Sequence, residues 1–216
     1  MATEFTLTGD SNCGAVGRAA RAASIPFKGG PVANGRRADE RFFEIDDAGT
    51  AMFHEDLGGH GRFTCEDLLD PSRPMLSTLG FNTQRIGMAL NPYLRTQGIA
   101  FENLSDAVLD QGLEDYKAGP LAFYREAVRR GIEVFVTYSP QRFPETYFET
   151  AIKIEALLAA KLQEIGVTMV DVRAETTDDK GRLLPELATE REGDQTHAND
   201  VWGKAVLDRF LEMRAA

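Results

Sequence analysis

A short alternating run, Phe5-Thr6-Leu7-Thr8, feeds directly into Gly9-Asp10-Ser11, and a stretch of small residues with helical character, 13–23, follows at once. Alternation with β-branched residues marks a strand, so the chain opens on a strand, a tight turn and a helix. Such a unit returns the chain to the start of the sheet, and its strand then calls for parallel neighbours. Further strand-length apolar runs lie at 25–28, 75–79, 132–138 and 167–172. Helix-compatible segments separate them at 36–43, 65–69, 121–130, 146–165 and 199–213. Gly131 and Gly166 stand where two of these helices should stop. Apolar strands alternating with helices predict an α/β fold, a three-layer α/β/α sandwich on a five-stranded parallel sheet. The 216 residues suit one domain, 1–216, with a core of that kind.

Three segments stand outside this alternation. Residues 43–53 carry Asp46-Asp47-Ala48-Gly49 between apolar ends and read as a small hairpin. Residues 57–61 are glycine-rich and read as a loop. Residues 84–104 show no clear period and contain Gly87, Pro92 and Gly98, which predicts a long loop of the kind that often carries function. On the last helix, Trp202 and Phe210 form a core stripe.

Open parallel sheets bind ligands at the carboxyl ends of their strands. Ser11 falls at such an end, with its backbone N–H at the positive end of a helix dipole. A serine is a poor nucleophile alone and needs a base and a group that orients the base. Asp194-Gln195-Thr196-His197 supplies both near the other end of the chain. The three-residue spacing lets one Asp194 oxygen reach the His197 Nδ1–H. Ser11 would also serve as a helix N-cap, but a cap does not account for the Asp-x-x-His. Asp10 is expected to cap the first helix and to move no proton.

The blocks discriminate between families. Gly9-Asp10-Ser11-Asn12-Cys13 lacks the second glycine of Gly-x-Ser-x-Gly, so the α/β-hydrolase turn is not matched. Gly80-Phe81-Asn82 ends the third strand, and Gly29-Gly30-Pro31-Val32-Ala33-Asn34-Gly35 follows the second. With Gly-Asp-Ser first and Asp-x-x-His last, the chain resembles the SGNH hydrolases, the superfamily of GDSL-type lipases and esterases, over nearly its whole length. The family pattern has aspartate after the asparagine, where this chain has Thr83. The resemblance implies a flavodoxin-like sheet order 2-1-3-4-5 and a serine ester hydrolase needing no cofactor. It also implies an oxyanion hole of the Ser11 N–H, a glycine N–H and the Asn82 side chain. Gly30 and Gly35 are both candidates for the glycine; Gly35 is preferred because a helix-like run begins at Arg36. An acyltransferase using the same covalent step, and a non-catalytic binding protein on the same fold, are the rival readings.

Composition narrows the partners. Lys plus Arg total 24 against 34 Asp plus Glu, a net charge of −10 with no basic stripe, which argues against nucleic acid. No apolar run approaches a membrane span, and no signal peptide is visible. The expected setting is cytoplasmic, with a trimmed export signal as the alternative. Two cysteines, Cys13 and Cys65, make no disulfide framework, and Cys13 should pack as a small apolar residue. His54 and His60 flank Glu55 and Asp56, which reads as a polar loop rather than a metal site. Arg36, Arg37, Arg85 and Arg142 all follow strand ends, with Phe143 and Tyr147 beside the last. Arg85 and Arg142 are therefore candidate substrate-binding residues, for a small polar or carbohydrate ester with a short acyl chain, acetyl foremost.

Overall fold

The computed structural model describes residues 4–33, 35–54 and 62–215. In chain order its elements are β1 (Phe5–Gly9), α1 (Cys13–Ala22), β2 (Phe27–Pro31), β3 (Phe43–Ile45), β4 (Ala51–Phe53), α2 (Cys65–Leu68), β5 (Met75–Ser77), α3 (Gln84–Gln97), α4 (Asp106–Tyr116), α5 (Ala118–Arg129), β6 (Val134–Thr137), α6 (Phe148–Ile165), β7 (Thr168–Val170), α7 (Arg173–Thr176) and α8 (Asp200–Ala215). Five strands form one sheet in the order β2-β1-β5-β6-β7. Every pairing in it is parallel. This is the order 2-1-3-4-5 that the resemblance implies. The separate β3–β4 pair is the antiparallel hairpin expected at 43–53.

Strand side chains alternate between faces, and the core divides accordingly. Phe5, Leu7, Leu76, Phe135 and Val170 point to one side, where Val16 and Ala20 of α1 meet Trp202, Val206 and Phe210 of α8. Met75, Val134 and Val136 point to the other, against Phe123 and Tyr124 of α5 and Ile154, Leu158 and Leu162 of α6. Packing rather than charge holds α8 in place. Phe210 packs against Phe5, tilted, and Phe135, edge-on, with ring centroids 5.2 and 5.1 Å away. Burying such side chains is worth about 1.5–3 kcal/mol each. The Arg18–Asp200 ion pair at the same interface is more than half exposed, and pairs of that kind contribute about 0–1 kcal/mol.

The structure departs from the sequence reading at three places. Residues 84–97 are helical rather than loop. Each apparent breaker has a place in that helix: Gly87 faces Thr150 of α6, Pro92 lies within it, and Gly98 terminates it at φ 63°. That left-handed conformation suits glycine at a helix end. The second strand runs 27–31 rather than 25–28, so Gly30 pairs with Thr8 inside the sheet. The expected helix at 36–43 is a single 3-10 turn, Gly35–Ala38. The glycine-rich loop 57–61, together with Glu55, Asp56 and His60, lies outside the described residues, as does the side chain of Arg36.

One buried acid gives the fold a pH signature. Glu155 of α6 is fully buried. That burial pushes its carboxyl from 4.5 up to about 8, against the opposing charge of Arg173. The folded chain thus keeps a proton on Glu155 that the unfolded chain releases. Stability from this group is full below pH 4.5 and is lost as pH rises toward about 8. Glu155→Gln should remove this loss, so its melting temperature should gain on wild type between those two values. A constant difference across the range in calorimetry would contradict the assignment.

Candidate active site

The turn after β1 holds Ser11 at the sheet's carboxyl edge. Asp10 is buried, and its Oδ1 accepts the Asn12 N–H at 2.8 Å and the Thr78 hydroxyl at 3.2 Å. It therefore ties the Ser11 turn to the end of neighbouring β5. Burial raises the Asp10 carboxyl, and these two hydrogen bonds oppose the rise. The helix α1 begins two residues after Ser11, and Cys13 on it is buried, 1% exposed. Burial pushes the Cys13 thiol far up, so it packs as an apolar group.

Residues from the far end of the chain arrive over this turn. His197 Nε2 lies 2.6 Å from Ser11 Oγ. His197 Nδ1 lies 2.7 Å from Asp194 Oδ2. The other Asp194 oxygen accepts the backbone N–H groups of Thr196 and His197, each at 3.0 Å. Burial would raise the Asp194 carboxyl, but these donors and the imidazole outweigh it and hold it down at about 2. It is therefore a carboxylate at any working pH, able to fix the ring with Nδ1 as the donor and leave Nε2 as the acceptor toward serine.

Asn82 follows β5 and joins Ser11 and His197 in lining a cleft of about 490 Å³, with Asn12, Gln84 and Thr196. Its Oδ1 is buried without a hydrogen-bond partner among the described residues. The next residue, Thr83, stands where the family pattern has aspartate. It is fully buried and donates its hydroxyl to the Ala151 carbonyl at 3.1 Å, pinning this loop to α6. Gly35 opens the 3-10 turn beyond β2. Gly30 lies within β2 and does not line the cleft.

Both arginines read as substrate contacts line the cleft, but each already has protein partners. Arg85 Nε lies 3.4 Å from Asp39 Oδ2. Arg142 donates to the backbone carbonyls of Asp194, at 2.9 Å, and His197. Arg142 thus clamps the segment that carries His197, a role with no sequence signal because its partners are main-chain atoms. Phe143 also lines the cleft but is 6% exposed, and Tyr147 does not reach it. His54 is exposed, and no cluster of three potential metal ligands occurs among the described residues. No helix among them is long and apolar enough to cross a membrane.

No family model and no curated protein sequence matches the chain. Solved structures do. The chain is similar to an extracellular lipase from Streptomyces rimosus, at 14% identity and TM-score 0.52 over 98% of this chain and 99% of that one. It is likewise similar to a GDSL-like lipase from Bacteroides thetaiotaomicron VPI-5482, at 12% identity and TM-score 0.50 over 100% and 90%. The chain thus shares the fold of these two lipases, with its five-stranded parallel sheet between helices.

The Arg142 clamp has a consequence independent of activity. Arg142→Met should leave the melting temperature close to wild type, because the core is untouched, yet speed amide exchange at Thr196 and His197 by about tenfold or more. Unchanged protection at those two amides would show that the clamp does not hold the segment.

Proposed function

We propose that this protein is a serine ester hydrolase in which Ser11 is the nucleophile, His197 the general base and Asp194 the group that orients it. The hydrogen-bonded relay Ser11–His197–Asp194, at 2.6 and 2.7 Å, carries this reading. In the first step Ser11 Oγ bonds to the ester carbonyl carbon and its proton passes to His197 Nε2. The carbonyl electrons collect on the oxygen, which the Ser11 N–H, the Gly35 N–H and the Asn82 amide stabilise. Gly35 is favoured over Gly30 because it stands beyond the strand end, whereas Gly30 is inside the ladder. Collapse breaks the carbon–oxygen bond of the ester, and His197 hands its proton to the departing alcohol. Water then loses a proton to His197 and bonds to the acyl carbon; the bond to Ser11 Oγ breaks, Oγ takes the proton back from His197, and the acid leaves.

The proposed substrate is a short acyl ester, acetyl foremost, of a polar alcohol such as a carbohydrate. The polar side chains of Asn12, Gln84, Ser139 and Thr196 around the cleft support the polar alcohol. Arg142 forms no carboxylate pair among the described residues, so its positive charge is available to attract an anionic substrate.

A p-nitrophenyl ester series of increasing acyl length tests the reading. Wild type should prefer the shortest chains. Ser11→Ala should abolish turnover and fluorophosphonate labelling with the fold intact. Asn82→Ala should lower kcat by about 10²-fold with little change in KM, as for removal of one oxyanion donor. Residual turnover in Ser11→Ala above a few per cent of wild type, on the order expected of an unrelated route, would overturn the nucleophile assignment. A preference for long chains would overturn the substrate class alone.

A further inference from the structure

Lys117 is a lysine with none of its side chain exposed. It lies at the junction of α4 and α5. Its Nζ donates to Asp39 Oδ1 at 2.7 Å and to the Asn82 carbonyl at 3.2 Å. Asp39 directly follows the Gly35–Ala38 turn. A second contact joins the same two segments, because the Gly119 N–H donates to the Asp39 carbonyl at 3.0 Å. The approach there is so close that a Cβ on Gly119 would lie 1.9 Å from the Glu40 carbonyl oxygen.

A buried ion pair is a poor means of stabilising a fold. The cost of taking both charges from water commonly equals or exceeds their attraction, and apolar replacement of both partners is often neutral or stabilising. Here burial lowers the lysine's pKa and raises that of the aspartate, each opposed by the other's charge. What the pair does provide is geometry. One ammonium holds the main chain of Asn82, and its counter-ion belongs to the chain that carries Gly35. These are the two segments assigned above to the oxyanion hole, and they come from different strands, β5 and β2.

We propose that Lys117 and Asp39 are positioning residues that lock the Asn82 and Gly35 segments of the oxyanion hole in register. The proposal rests on the ester-hydrolase reading. Neither side chain touches the reacting atoms. Lys117 acts through the Asn82 main chain, and Asp39 fixes the lysine and the exit of the glycine turn. Arg85, 3.4 Å from Asp39, shares the same carboxylate and links the strut to the first turn of α3. A pair built for positioning should govern the transition state more than substrate binding.

The test uses a double variant, Asp39→Asn with Lys117→Met, which removes both charges and avoids leaving one buried alone. Its melting temperature should stay close to wild type. Its kcat should fall about tenfold or more while KM stays within about twofold. In an Asn82→Ala background the same two changes should cost clearly less, because one of the two groups they position is gone. If the double variant does not fold, Asp39→Asn and Asp39→Ala carry the comparison. The former still accepts from the lysine and should retain most of kcat; the latter frees the lysine and should lose it. Wild-type kcat in the double variant, a loss confined to KM, or an equal loss with and without Asn82 would overturn the strut. Equal kcat in the two Asp39 variants would do the same. A wild-type protein that turns over no ester and takes no label at Ser11 would instead overturn the hydrolase reading itself.

Discussion

Parallel pairing of β1 with β5 is the constraint on which the site depends. Thr6, Leu7 and Thr8 lie in register with Met75, Leu76 and Ser77, so the two chains leave the sheet side by side. One exits through Asp10-Ser11 and the other through Gly80-Phe81-Asn82. The Thr78 hydroxyl bonded to Asp10 then fixes the two exits to each other. Neither segment could approach the other from separate edges of the sheet. The crossover of β2 to the far side of β1 brings the Gly35 turn to the same edge.

The remaining functional segment is delivered by packing on the opposite layer. Helices α1 and α8 meet so closely that a Cβ on Gly203 would lie 2.4 Å from the Ala15 carbonyl carbon. Residues 194–197 enter α8 through this contact and end above the start of α1, where Ser11 waits. The imidazole is then held by the Asp194 carboxylate and the Ser11 hydroxyl, and the His197 backbone carbonyl is held by Arg142. On the far side, Lys117 bonds both Asp39 and the Asn82 carbonyl, joining the two segments proposed to face the developing charge. Around the proposed reacting side chains, Asp10, Lys117, Arg142 and Asp194 all bond main-chain groups.

The sheet was legible because its strands are short apolar runs between helices: Val134, Phe135 and Val136 are all buried, on opposite faces in turn. Ser11, Asn82, Asp194 and His197 stood out because each sits at a fixed offset in a short block, and the structure brings Ser11, Asn82 and His197 to one cleft with Asp194 bonded to His197. α3 was hidden because Gly87, Pro92 and Gly98 read as breakers, whereas one faces a neighbouring helix and another terminates this one. α4 carried a usable signal, Ser105 accepting from the Val108 N–H ahead of Leu109 and Leu113. The support around the site had none. Lys117 and Arg142 act on carbonyl groups, which every residue possesses, so no pattern of side chains announces them. The bounds of β2 were missed because Gly29 and Gly30 suggest a turn, yet they pair in register with Leu7 and Thr8.

The central claim is that Ser11 forms a covalent acyl intermediate with the help of His197. Rapid-quench mass spectrometry of the protein mixed with a short activated ester tests it most directly. The account predicts one added acyl group, located on the peptide containing Ser11, formed at the rate of the first alcohol released and absent in Ser11→Ala. Turnover with no acyl group on Ser11 at any time, or acylation at full rate in His197→Ala, would contradict it.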